Sequence, residues 1–296
     1  MATVQDLKRR IRSVTNTRKI TKAMELVASA RLRRAEARIE ALRPYADRML
    51  ELMGITTRAA GSVRLPLLER RETVRRVAIL PVTADRGLAG AFNAQVLRRA
   101  FVLERELRND GVEVSWLASG RRGRSSLTFR GYELVQSWQG FSERPEYADA
   151  QMIARRAAEL YANEEVDKVI VIYNRFQSAL VQQVKVQELL PIPEKLVQGG
   201  DDDAEQAALR GDFIYEPEPE QILERLLPVY VETELYRALL ESAASEQGAR
   251  MTAMRNASSN AGELIGSLTL AMNRARQAEI TQEILEVVAG ADALTA

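Results

Sequence analysis

The chain has 296 residues, 46% hydrophobic and 28% charged, and its 42 basic and 41 acidic side chains leave a formal net charge of +1. That is enough apolar material for one or two cores, and the near-zero total carries no signature of a nucleic-acid or membrane-surface partner. Without a single Cys or His, disulfides, Cys/His zinc sites, Cys nucleophiles and histidine acid–base chemistry are ruled out.

No apolar run approaches the ~18 residues needed to span a bilayer. The N-terminus has the charge of a signal peptide without its apolar core, so a soluble chain made in the cytoplasm is expected. The neutral total hides a polarity. Residues 1–48 hold thirteen Lys and Arg against five acidic residues, a net of +8, and residues 200–246 hold thirteen acidic residues against three Arg, a net of −10. Either these are solvated faces or the two regions meet different environments.

Helix formers dominate the start of the chain. From Val4, steps of three and four residues give Leu7, Ile11, Val14, Arg18, Thr21, Glu25, Ala28, Leu32, Ala35, Ile39 and Leu42, a heptad seam that fails only at Arg18, Thr21 and Glu25. This helix is expected to reach the Gly54 to Gly61 region, with a kink at Pro44. The middle alternates strand and helix. Strands are read at 74–83, 112–119, 133–137, 166–176 and 180–192, helices up to Asn109 and over 145–163, and loops at GRRGRSS (120–126) and 197–212.

The last helix opens at Pro219, has a potential break at Pro228 and runs to Gly290. Its seam is read as Met254, Ala257, Ala261, Leu264, Leu268, Ala271, Ala275, Ala278, Gln282, Leu285 and Ala289. Two seams at opposite ends, each without a local partner, satisfy each other as an antiparallel pair. The first helix alone would span roughly 80 Å, against about 50 Å for a compact globule of this length, so the pair is expected to protrude as a rod. The fold class is therefore α/β, with a long antiparallel coiled coil of the N- and C-terminal helices plus a central Rossmann-like α/β domain. Its divisions are 1–57, 58–218 and 219–296.

DRGLAGAFN (85–93) lies between strand and helix, where phosphate loops occur, but matches neither G-x-x-x-x-G-K-[ST] nor G-x-G-x-x-G and reads as a tight structural turn. GRRGRSS lacks the regular aromatic interleaving of a nucleic-acid binder. Asp201 to Asp203 lack a second ligand set for a cation. No nucleophile and base pair stands out, so no catalytic, cofactor or metal residue is assigned. A coiled-coil nucleic-acid binder and a small-molecule enzyme remain as rival classes. Steep salt dependence would mark the first and a convergent polar pocket the second.

Four stretches resemble the gamma subunit of F-type ATP synthase: KRRIRSVTNTRKITKAMELVASAR, DRGLAGAFN, SEQGARMTAMRNASSNA and NRARQAEITQEILEVVAGADA. They span essentially the whole chain in the right order. The last carries a highly specific pattern in Ile280, Thr281, Glu283, Glu286, Gly290 and Ala291. The resemblance implies a non-catalytic rotor. The paired helices turn inside a ring of three alpha and three beta subunits, and the α/β domain sits with the epsilon subunit and the membrane-embedded c-ring, at the cytoplasmic face of a bacterial plasma membrane. Carried over by motif, contacts with beta fall on Lys22, Met24, Arg250, Arg276, Gln277 and Thr281, and contacts with the c-ring on Tyr215 and Glu216. Many relatives have Cys where Ala89 stands, and the insert of the plant chloroplast form is missing, which removes thiol regulation. On this reading Arg18, Thr21 and Glu25 interrupt the seam because they face the ring as well as the partner helix.

Overall fold

The computed structural model describes residues 3–61, 65–179, 181–193 and 215–295, with side chains up to residue 290. The acidic loop read at 197–212 lies outside them. The elements are α1 (Val4–Ala60), β1 (Arg76–Pro81), α2 (Phe92–Asn109), β2 (Glu113–Ser119), α3 (Arg121–Phe129), β3 (Leu134–Trp138), α4 (Tyr147–Ala162), β4 (Lys168–Phe176), β5 (Gln182–Leu190) and α5 (Pro219–Thr295). Two compact units result: 1–28 with 251–296, and 29–250.

The larger unit is built on a five-stranded sheet of order β3-β2-β1-β4-β5. The first four strands are mutually parallel, and β5 returns antiparallel to β4. Strand side chains alternate between faces, so β1 sends Ala78 and Leu80 to one layer and Val77 and Ile79 to the other. The first layer closes with Ile153, Ala157 and Leu160 of α4, Met49 and Met53 of α1, and Leu223, Leu227, Tyr230 and Leu235 of α5. The second closes with Val96, Ala100 and Leu103 of α2 and Leu127 of α3.

GRRGRSS, read as a loop, is instead mostly the first turns of α3. Its two glycines are close-approach positions. Gly120 has φ 91°, and a Cβ there would lie 2.0 Å from the Thr83 carbonyl oxygen; Gly123 packs on the Thr83 side chain. Neither proline ends its helix: α1 passes through Pro44, and α5 passes through Pro228. Each loses one internal hydrogen bond, and at Pro228 the buried neighbours Leu227, Tyr230 and Val231 hold the helix.

In the smaller unit α1 and α5 pack antiparallel. Glu25 meets Arg255, and Arg18 lies beside Gly262, so residues opposite one another share a constant index sum. Up to Ala275 the α5 seam differs from the sequence reading at two positions. Ile265 and Met272 are partly covered, whereas Leu264 and Ala271 are exposed. Adjacent apolar residues, Leu264 with Ile265 and Ala271 with Met272, leave the two choices close on hydrophobicity alone.

Candidate contact surfaces

In the smaller unit Thr21 and Glu25 are buried, which corrects the expectation that the seam fails there in order to face outward. The Glu25 carboxylate instead lies on the seam. One oxygen accepts from Lys22 Nζ at 3.0 Å and the other from Arg255 Nε at 3.1 Å, across the helix pair. These two cations, Lys22 first, hold the carboxyl below its usual range. Arg18 alone of the three is exposed. Met24 is half-buried beside them.

From residue 276 to 290 every side chain of α5 is exposed. The register puts Val4, where α1 begins, opposite this boundary, so α1 supplies no cover beyond it. Arg276, Gln277 and Thr281 lie here, with the Thr281 hydroxyl donating to the Gln277 carbonyl at 2.8 Å. Gln277 and Thr281 share a face at spacing i,i+4, and Ile280, Ile284, Leu285, Val287 and Val288 are exposed around them.

The larger unit holds a different kind of site. The turn after β1 is organised by Asp85, whose carboxylate accepts from the backbone N–H of Arg121 (2.9 Å), Gly140 (2.8 Å) and Ser142 (3.1 Å). Asn93 Oδ1 accepts from Ala84 N. Leu88, exposed at the tip, sits at φ 64°, a conformation that strains a bulky residue. Open α/β sheets offer a ligand crevice at the carboxyl ends of the strands, where the order reverses. Here α5 is packed against those ends: Ala249 touches the cluster of Ala84, Ala89 and Phe92, and the Ser245 hydroxyl donates to the Asn174 carbonyl at 3.0 Å.

Arg250 belongs to this packing. Its Nη2 donates to Glu246 Oε1 at 2.6 Å and to the Gly87 carbonyl at 3.3 Å, and Nη1 lies 3.7 Å from Glu143. With 7% of its side chain exposed, it is occupied inside its own chain. Burial pushes the Glu246 carboxyl up, against the opposing pull of Arg250. Glu143 also pairs with Arg31 and Arg86, a role that an isolated acid in a loop did not announce. Tyr215 is half-buried and Glu216 exposed; Phe213 and Ile214, just before them, lie outside the described residues. No group of metal ligands occurs among the described residues, and no described helix is long and apolar enough to cross a membrane.

Comparison with known proteins gives one answer. A family profile described as ATP synthase matches residues 3–294. The ATP synthase gamma chain of Rubrobacter xylanophilus is 48% identical over 296 residues, covering 100% of both chains, and that of Moorella thermoacetica is 46% identical over 294 residues, covering 99% of this chain and 100% of the relative. Among solved structures, the Tetrahymena thermophila mitochondrial ATP synthase central stalk and c-ring contains a chain 29% identical, with TM-score 0.59, covering 81% of this chain and 99% of that one. A Euglena gracilis mitochondrial ATP synthase chain, 19% identical with TM-score 0.69, covers 98% of this chain and 94% of its own and shares the fold.

Proposed function

The chain belongs to the ATP synthase gamma-chain family, and from that membership we propose that it is the central-stalk rotor carrying rotation of the membrane c-ring to the catalytic beta subunits. Its partners on this reading are three alpha and three beta subunits, the epsilon subunit and the c-ring. It works as a peripheral component on the cytoplasmic face of a bacterial plasma membrane. Proton or sodium flow turns the ring and the shaft, and the asymmetric shaft drives the beta sites through different conformations. ATP chemistry belongs to beta. The chain's own phosphate-loop position is a turn whose polar groups bond to α3, the segment before α4 and α5.

The observation that carries the reading is the far end of α5. Fifteen residues of helix, exposed on all sides, present both an apolar surface and the polar face of Arg276, Gln277 and Thr281. A helix that leaves five large apolar side chains exposed is stabilised by enclosure in other protein. The polar face supplies directional bonds that can be made to one beta subunit and released as the shaft turns. Lys22 and Met24 contact beta from α1, and Tyr215 and Glu216 approach the c-ring. Arg250 acts from within, bracing the turn at Gly87.

Co-expression with the alpha and beta subunits tests the proposal. A complex with one copy of this chain per three alpha–beta pairs, hydrolysing ATP, is expected. Tight stoichiometric ATP binding by the isolated chain in calorimetry, or failure to join the complex, would overturn it.

A further inference from the structure

Glu25 breaks the rule that shapes its seam. Its side chain is only 9% exposed, in a row that is otherwise apolar except at Arg18 and Thr21, and a buried charge is costly without partners. Its partners come from two helices and remain in solvent themselves: 59% of the Lys22 side chain and 56% of the Arg255 side chain are exposed. Because each bonds to one oxygen of the same carboxylate, the two cationic heads flank Glu25 within one local cluster, though 233 positions separate them in sequence. The three groups carry one surplus positive charge. No other acidic residue occurs between Asn16 and Arg34 or between Met251 and Gly262 to answer it. Leu26, one turn after Lys22 and on its face, is 63% exposed.

We propose that Lys22 and Arg255 form a paired cationic seat for one carboxylate of a neighbouring subunit, with Glu25 as the positioning residue that holds the two cations side by side. The inference rests on the rotor reading and adds Arg255 and Glu25 to it. The complement is an acidic side chain with an apolar neighbour for Leu26. One carboxylate brings the charge of these three groups to zero, and two preplaced cations receive it without first losing side-chain freedom.

The test uses the assembled enzyme with Arg255→Gln, Glu25→Gln, Glu25→Asp and the Arg255→Gln/Glu25→Gln pair, reading turnover against salt and subunit stoichiometry. Zero-length carbodiimide coupling followed by peptide mass spectrometry reads the contact itself. Either Gln variant should lower turnover at low salt by about fivefold, the pair by no more than the larger single effect, and the gap should close at high salt. Glu25→Asp should recover part of the loss. Coupling should join Lys22 to an acidic residue of a neighbouring subunit in the unaltered enzyme, with lower yield in both Gln variants. If Glu25→Gln chains fail to assemble, Arg255→Gln, altered at an exposed position, carries the test alone. Coupling confined to the Lys22 to Glu25 product, or Arg255→Gln complexes with unaltered turnover at every salt, would overturn the seat and leave the rotor reading standing. An unaltered chain that joins no complex removes both.

Discussion

Two glutamate–arginine pairs, each with its arginine on α5, have opposite electrostatics. In the smaller unit Glu25 bonds to Arg255, whose side chain stays more than half exposed, and its carboxyl is held below the ordinary value of 4.5. In the larger unit Glu246 bonds to Arg250 at a shorter distance, both almost fully buried, and its carboxyl is pushed above that value. The attraction between the partners is the same in kind; what differs is how much water each charge gave up. A close contact is thus a poor guide to what an ion pair contributes. The buried pair braces structure at an energetic cost, whereas the wet pair keeps its cations available to a third charge.

Removing Arg250 should separate the two cases most sharply. Arg250→Leu leaves Glu246 buried without its main partner, and breaking such a pair costs about 3–5 kcal/mol. The loss, measured by urea unfolding of the chain, should be smaller at pH 5 than at pH 8, because Glu246 then takes up a proton. Equal losses at both pH values would mean that the carboxylate finds another partner.

Next in size is a functional effect at exposed polar groups. Arg276→Leu with Gln277→Leu should leave helix content and assembly intact, since both lie off the seam. It should lower ATP turnover of the assembled enzyme about tenfold, the equivalent of one charge-assisted hydrogen bond. Normal turnover would remove this face from the mechanism, and lost assembly would make it structural.

Smaller still is the wet pair's own share of folding stability. Glu25→Gln should cost no more than ~1 kcal/mol, because screening by water limits partly exposed pairs. The sign with pH follows from the direction of each shift. Glu25, depressed in the folded chain, stabilises above the ordinary value of 4.5 and loses that contribution as pH falls through its lowered pKa. Glu246, raised, favours folding below 4.5 and loses that contribution as pH rises through its raised pKa. Hydrogen exchange between pH 6 and pH 3.5 should therefore show protection declining in 4–28 and 251–275 before it declines around 242–250. The reverse order would sink the comparison.

The smallest effect is expected at Arg33 and Arg34, both exposed. Arg33→Glu with Arg34→Glu should change unfolding by less than about 0.5 kcal/mol per site, yet weaken assembly at low salt if the basic face of α1 runs beside acidic loops. Assembly unchanged at low and high salt would leave these residues as a solvated face.

Much of the fold was legible because its strands read as separate apolar runs and its terminal helices as long helix-forming stretches. The places where the reading failed share a cause. Gly120 and Gly123 look like chain breakers when only intrinsic preference is weighed, but they admit the Thr83 backbone and side chain at close range, and α3 begins between them. Glu25 looks like a gap in a seam because one of the two cations that neutralise it lies 230 positions away. Arg250 reads as a rod residue because its partners Gly87 and Glu143 come from distant loops. Periodicity reports how a helix is faced, and it is silent about charges satisfied by remote parts of the chain.

Seven consecutive residues of α5, from Ser242 to Gly248, are buried. A helix covered along one stripe can roll about its axis by exchanging one row of contacts for the next. A stretch enclosed through two full turns has no open side to roll toward, and here the enclosure is keyed by the Ser245 bond to β4 and the close fit of Gly248 against Ala179. The larger unit therefore grips its own helix as a splined hub grips an axle: a twist applied to that stretch must rotate the sheet with it or tear those contacts.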